Sequence, residues 1–165
     1  MRMLATTLCL SLSLAAGTAV AHDHKGKAGN DAQTREIAAL FDRWNAALAT
    51  GKPKQVAALY AQNGVLQPTV SNEVRVGPAA IERYFVDFLK AKPQGVIDDR
   101  EIRMLDADTA LDAGVYTFTL TKDGKPVKVQ ARYTYLYEKV GGEWKIMNHH
   151  SSAMPEPTAA SIARQ

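Results

Sequence analysis

The sequence predicts an α+β fold in which a mainly antiparallel sheet packs against three N-terminal helices, and three observations carry that reading. Apolar residues recur at three- and four-residue intervals from Ile37 to Leu48 and again from Ile81 to Leu89, the mark of helices with one buried face. After Gly95 the apolar period falls to about two, the period of a strand. Turn residues at Asp106 to Asp108, Asp123-Gly124 and Gly141-Gly142 cut that second half into consecutive strands. Helices first and a strand meander afterwards form a sheet with helices gathered on one face.

Ahead of the helices stands a segment of different character. Arg2, the apolar run from Met3 to Val20 and the small ending Ala19-Val20-Ala21 make the pattern of a secretory signal peptide, residues 1–21, cleaved after Ala21. A membrane span needs about 20 predominantly apolar residues, and this run is short and diluted by Thr6, Thr7, Ser11, Ser13 and Gly17. The expected destination is therefore the periplasm or the medium, with no membrane attachment after cleavage. Cys9 follows Leu8 rather than a small residue, which argues against lipidation, and it is the chain's single cysteine. The processed chain then has neither disulfide nor thiolate ligand, and its fold rests on its core.

Residues 22–33 read as a flexible polar leader with little apolar surface to bury. The first helix runs from about Thr34, with Asp31 or Thr34 as cap; Ile37, Leu40, Phe41, Trp44, Ala47 and Leu48 lie on its buried face, and Gly51 ends it. A short helix covers Pro53 to Tyr60, with the proline at its first turn. Asn63-Gly64 is expected to turn the chain, and Val65-Leu66 and Val74 to Val76 to be short strands around the Pro68 to Asn72 loop. Gly77-Pro78 opens a third helix with the stripe Ile81, Tyr84, Phe85, Phe88 and Leu89, closed by Pro93 to Gly95. Four strands follow, near 96–105, 110–121, 126–139 and 143–152. Residues 34–155 thus make one domain, and 156–165 a loose tail.

Charge gives little functional direction. The chain has 20 Lys and Arg against 17 Asp and Glu, a formal excess of +3. Arg2 is the one charged residue in 1–21, so its loss leaves 3 − 1 = +2. The basic residues are scattered and do not interleave with aromatics, which makes nucleic acid a poor partner.

The Trp44 helix, the phrase Arg75-Val76-Gly77-Pro78-Ala79-Ala80-Ile81, and the stretches Ala131-Arg132-Tyr133-Thr134 and Trp144 through Pro155 together resemble a known family. They are similar to the bacterial SnoaL-like (SgcJ/EcaC-type) proteins of the nuclear transport factor 2-like superfamily, related to the association (hub) domain of calcium/calmodulin-dependent protein kinase II. The resemblance covers about residues 34–155. It implies a curved sheet wrapped around the long helix into a cone, a pocket inside the cone, and dimerisation through the outer sheet face, with larger rings in the hub itself. Residue by residue, Tyr84-Phe85 matches the hub's Tyr-Phe pair on its third helix, Arg132 a pocket arginine, and His150 with Ser152 the terminal His-x-Ser. The sequence departs at Ser151, where the hub has arginine, and near Thr117 or Phe118, where a second pocket arginine would stand. Kinase activity is not implied, because no Gly-rich phosphate loop, His-Arg-Asp catalytic loop or Asp-Phe-Gly is present.

Alternation along the third long strand puts Gln130, Arg132 and Thr134 on one face. A guanidinium fork on the pocket floor would bind a carboxylate at two points; an exposed arginine or a salt bridge between subunits is the plainer alternative. His149 and His150 should point to opposite faces. His150, grouped by alternation with Trp144, Ile146, Asn148 and Ser152, is the candidate general base or hydrogen-bond donor, or else a structural histidine at a subunit contact. Expected ligand contacts are thus Arg132, His150, Tyr84 and Asn148, around a small polar or carboxylated molecule.

In the ketosteroid isomerase branch of this fold a carboxylate moves a proton while a tyrosine and a protonated acid hold the oxyanion. Here Asp42, Glu73, Asp99, Asp112, Tyr60 and Tyr84 are the available groups, and none sits in a catalytic phrase. Cleavage after Ala21 would also expose His22-Asp23-His24, whose amine, amides and His24 imidazole suit square-planar Cu(II) or Ni(II); no cofactor is otherwise required. The leading expectation is an exported ligand-binding protein, a homodimer or larger ring. A pocket enzyme of the isomerase, dehydratase or cyclase kind and a pure assembly module are the alternatives.

Overall fold

The structure, a computed structural model, describes residues 24–155, with side-chain surroundings from Asp31 onward. Helix α1 (His24–Ala49) lies across the sheet and sinks Ile37, Leu40, Phe41, Trp44 and Leu48 into the core. It begins ten residues before Thr34, so the stretch 22–33 read as a flexible leader is helical from His24 on. The physical reason is propagation: once the amphipathic turns have nucleated, each further residue adds a hydrogen bond at small cost, and no proline interrupts the run. Gly51, at φ 65°, donates its N–H to Leu48 O at 3.0 Å and stops the helix.

Helix α2 (Pro53–Ala57) is shorter than the sequence suggests, because Tyr60 opens strand β1 (Tyr60–Gln67) instead of closing the helix. Asn63-Gly64 does not turn the chain either. It lies inside β1, where the pairing slips between Tyr60, opposite Ile146, and Val65, opposite Asn148. The slip is a bulge, and it needs glycine: a Cβ on Gly64 would stand 2.9 Å from the Ile146 carbonyl oxygen. Strand β2 (Arg75–Val76) pairs antiparallel with β1 at the sheet edge. Helix α3 (Pro78–Phe88) follows, with proline in its first turn and a 3-10 turn, Leu89–Ala91, at its end.

The long strands are β3 (Gln94–Met104), β4 (Thr109–Lys122), β5 (Lys125–Val140) and β6 (Glu143–Ala153). The sheet order is β2-β1-β6-β5-β4-β3, antiparallel except where β1 runs parallel to β6. The hairpin of β4 and β5 turns through Asp123 and Gly124, both at positive φ, as a two-residue connection requires.

The inner face carries Tyr116 and Phe118 of β4, and Tyr133, Tyr135 and Tyr137 of β5, packed against α1 and α3 as one aromatic core. On β6 the inner residues are Trp144 and Ile146, and then His149 and Ser151. The phase changes because Met147 is an extra residue: Ile146 pairs with Tyr137 and Asn148 with the adjacent Leu136. One residue of slip moves every following side chain to the opposite face.

Candidate functional site

Between α1, α3 and the inner sheet face lies a cavity of about 100 Å³. Trp44, Phe85, Phe88, Phe118, Leu66 and Ala131 form its apolar walls. Its polar groups are on one side, where His149, Ser151, Tyr116 and Thr69 meet. A wider vestibule of about 490 Å³ adjoins it, shares Val70, Tyr84, Phe88 and Leu120 with it, and is rimmed by Arg75, Arg83, Glu73 and Asp87. The guanidinium of Arg75 lies 5.8 Å above the Tyr84 ring and is ion-paired with Glu73.

His149 is the centre of the polar wall. Its ring is 3 % exposed, stacks on Tyr135 with centroids 4.1 Å apart and meets Trp44 edge-on at 5.3 Å. The Tyr60 hydroxyl is 3.0 Å from Nδ1 and the Tyr116 hydroxyl 3.4 Å from Nε2. Burial, reinforced by neighbouring His150, pushes its pKa down to about 3, so the imidazole is neutral at physiological pH. Burial likewise raises the Tyr60 and Tyr116 phenols well above their ordinary range, and both stay protonated donors. Tyr84, at the mouth, is pushed up to about 12, chiefly by burial, with Arg75 pulling the other way.

Further along the inner face, Asp112 is completely buried. Its Oδ1 accepts from the Tyr133 hydroxyl at 2.9 Å and lies 3.2 Å from Arg100 Nε. Burial raises its pKa, and Arg100 and Tyr133 oppose the shift. Arg100 packs its guanidinium 5.7 Å from the Phe41 ring centre. This carboxylate is committed to the arginine and the tyrosine, and it does not line the cavity.

Of the expected ligand contacts, only Tyr84 reaches the cavity. Arg132, Asn148 and His150 share the outer sheet face, opposite in register to Ser152, Leu136 and Thr134 respectively. There Arg132 and His150, both exposed, line an open hollow of about 460 Å³ with Thr134, Ser152 and Val115, and Arg132 Nε donates to Ser152 Oγ at 3.3 Å. The carboxylate clamp inside the cone is thus corrected: its arginine stands outside, and no Lys or Arg lines the cavity. His150 as pocket base is corrected too, and the reason is the Met147 bulge. Counting by twos from Trp144 reaches His150, whereas the chain turns His149 inward. The resemblance misses the same parity, since Ser151, where the hub carries arginine, faces the cavity. Among the other candidates, Asp42, Glu73 and Asp99 are exposed, and Tyr60 stands behind His149.

His22 lies outside the described residues, and His24 is known only as the first residue of α1. Among the described residues no group of three or more His, Cys, Asp and Glu is placed to hold a metal, and no helix is long and apolar enough to cross a membrane.

A family model, the calcium/calmodulin dependent protein kinase II association domain, matches residues 33–155. Among solved structures, a Xanthomonas campestris protein carrying the same association-domain name is 67% identical, with a TM-score of 0.73 over 74% of this chain and 88% of that one. An NTF2-like protein with a cystatin-like fold from Novosphingobium aromaticivorans is 15% identical, with a TM-score of 0.66 over 87% and 97%. A dehydratase-named member of the NTF2-like family from Streptomyces avermitilis is 16% identical, with a TM-score of 0.67 over 76% and 99%. The last two likenesses concern the fold alone. No curated protein matches.

Proposed function

Since the chain belongs to the calcium/calmodulin dependent protein kinase II association domain family, and its cone holds an aromatic cavity, we propose that it is an exported, self-associating protein that binds a small, mainly apolar molecule. The observation that carries this reading is the cavity wall: aromatic and aliphatic side chains around most of it, and on the polar side a neutral histidine between two tyrosines. A charged group inside would be buried without a counter-ion, at a cost of several kcal/mol. The part of the ligand that enters is therefore uncharged, and the carboxylated ligand expected from Arg132 is set aside.

The volume supports a small occupant. An apolar interior space of about 150 Å³ holds benzene, and this cavity of about 100 Å³ opens toward the vestibule. The carboxylate base of the ketosteroid isomerase arrangement has no counterpart in the cavity lining. Self-association is supported by the family, and the outer sheet face with Arg132, His150 and half-buried Val115 and Leu136 is the surface for it. Export is supported by the pattern of residues 1–21.

Benzene is the simplest probe. Titrated into the processed protein and followed by amide NMR, it should give saturable shifts centred on Trp44, Phe85, Ala131 and His149. A response that does not saturate, or that spreads without focus over the surface, would contradict the reading.

A further inference from the structure

The polar wall of the cavity is one continuous chain of hydrogen bonds, and its first member fixes the direction as far as Ser151. Trp44 Nε1 is 3.3 Å from the Tyr60 hydroxyl and can only donate. The Tyr60 oxygen accepts that proton, and its own proton has one buried partner, His149 Nδ1 at 3.0 Å. Reversing this bond would leave a buried hydroxyl proton without an acceptor, which costs about 1–3 kcal/mol.

A neutral imidazole has one donor and one acceptor nitrogen. With Nδ1 accepting, Nε2 carries the proton and faces the Tyr116 oxygen at 3.4 Å. The Tyr116 hydroxyl then donates to Ser151 Oγ at 2.6 Å. Ser151 Oγ is in close contact with Thr69 Oγ1, where either hydroxyl can donate; Ser151 is the more deeply buried of the two, so its proton is the one that must be paired and it goes to Thr69. Thr69, half-buried where the Pro68 to Asn72 loop meets the cavity mouth, has accepted its bond and retains a hydroxyl proton to give. Among the described residues no acceptor takes that proton.

Resting on the cavity-binding reading above, we propose that the site selects molecules that carry a hydrogen-bond acceptor, such as a ketone or ether oxygen on a small apolar ring, and that Thr69 is the residue that reads it. The selectivity is built in behind the ligand, because the indole of Trp44 sets the direction as far as Ser151 and the burial of Ser151 sets the last step to Thr69. A ligand whose polar atom can only donate reaches at best the remaining lone pair of Thr69 Oγ1, and the Thr69 proton then goes unpaired.

The test compares two five-membered rings of similar size, cyclopentanone, which only accepts, and pyrrole, which donates through its N–H, by the same NMR titration. Cyclopentanone should bind roughly ten-fold tighter, the worth of one net hydrogen bond. Thr69→Val should bring the ratio to about one, and Thr69→Ser should keep the preference. Pyrrole binding as tightly as cyclopentanone, or a ratio that survives in Thr69→Val, would overturn the assignment while leaving the cavity as a binding site. Absence of saturable binding by any ring, benzene included, would overturn both readings.

Discussion

His149 is an imidazole whose neutrality is imposed by its surroundings, and that gives the protein a definite response to acid. Its folded pKa, about 3, lies below the ordinary value of 6.5 because burial disfavours the cation. A depressed folded pKa means that the unfolded chain takes up the proton first. The stability that His149 contributes is whole above pH 6.5 and drains away as pH falls toward 3, by about 1.4 kcal/mol per unit. Unfolding midpoints of wild type and His149→Phe, measured between about pH 7 and pH 4, should show a steeper fall in wild type. Parallel curves would mean that the ring already accepts a proton in the folded state. The sequence nominates a histidine here but not the right one of the pair. His149 and His150 are equivalent as residue types, and only the extra residue at Met147 decides which goes in. Thr69, Ser151 and Tyr116 carry no signal in the sequence that marks them as contacts, since a hydroxyl becomes a binding group only when separate strands and a loop bring it to the same wall.

At the level of elements the sequence is far more informative. The buried stripe of α1 holds at every position, with Ala47 half-buried at its edge, and each of the four long strands lies within a few residues of its expected span. Periodicity works where an element is regular. It fails at Asn63-Gly64 and at Met147, where a strand continues through a bulge that its residues do not announce. A third irregularity, between Ile97 and Asp99 of β3, has a partner on β4 that explains itself. A Cβ on Gly114 would fall 2.0 Å from the Asp99 carbonyl oxygen, a contact that backbone alone must relieve. Gly114→Ala should therefore cost about 3 kcal/mol, the upper end for overpacking, read as a drop in denaturant midpoint with faster amide exchange along β3. Gly124 in the turn between β4 and β5, at φ 73° and with nothing near its Cβ position, should lose less on the same change and show no such exchange.

For the molecule as a whole, the proposed function is divided between the two faces of the sheet. The resemblance drawn from residues 34–155 and the family match over 33–155 agree on the family, and the fold has an inner face with a cavity and an outer face left open. The sequence conveys that architecture well. It does not convey which face owns Arg132, because a pocket arginine and an interface arginine look the same in a strand of alternating residues. The proposed division puts ligand on the side of His149 and self-association on the side of Arg132. The most direct test of that division is one benzene titration run on two variants, each also weighed by sedimentation. Leu120→Trp, which fills the cavity mouth, should abolish the saturable shifts and leave the subunit count as in wild type; Arg132→Glu, on the outer face, should reduce the subunit count and leave the titration intact. If Arg132→Glu instead removed ligand binding while Leu120→Trp retained it, the ligand site would lie in the outer hollow, and the inner cavity would not be the binding site.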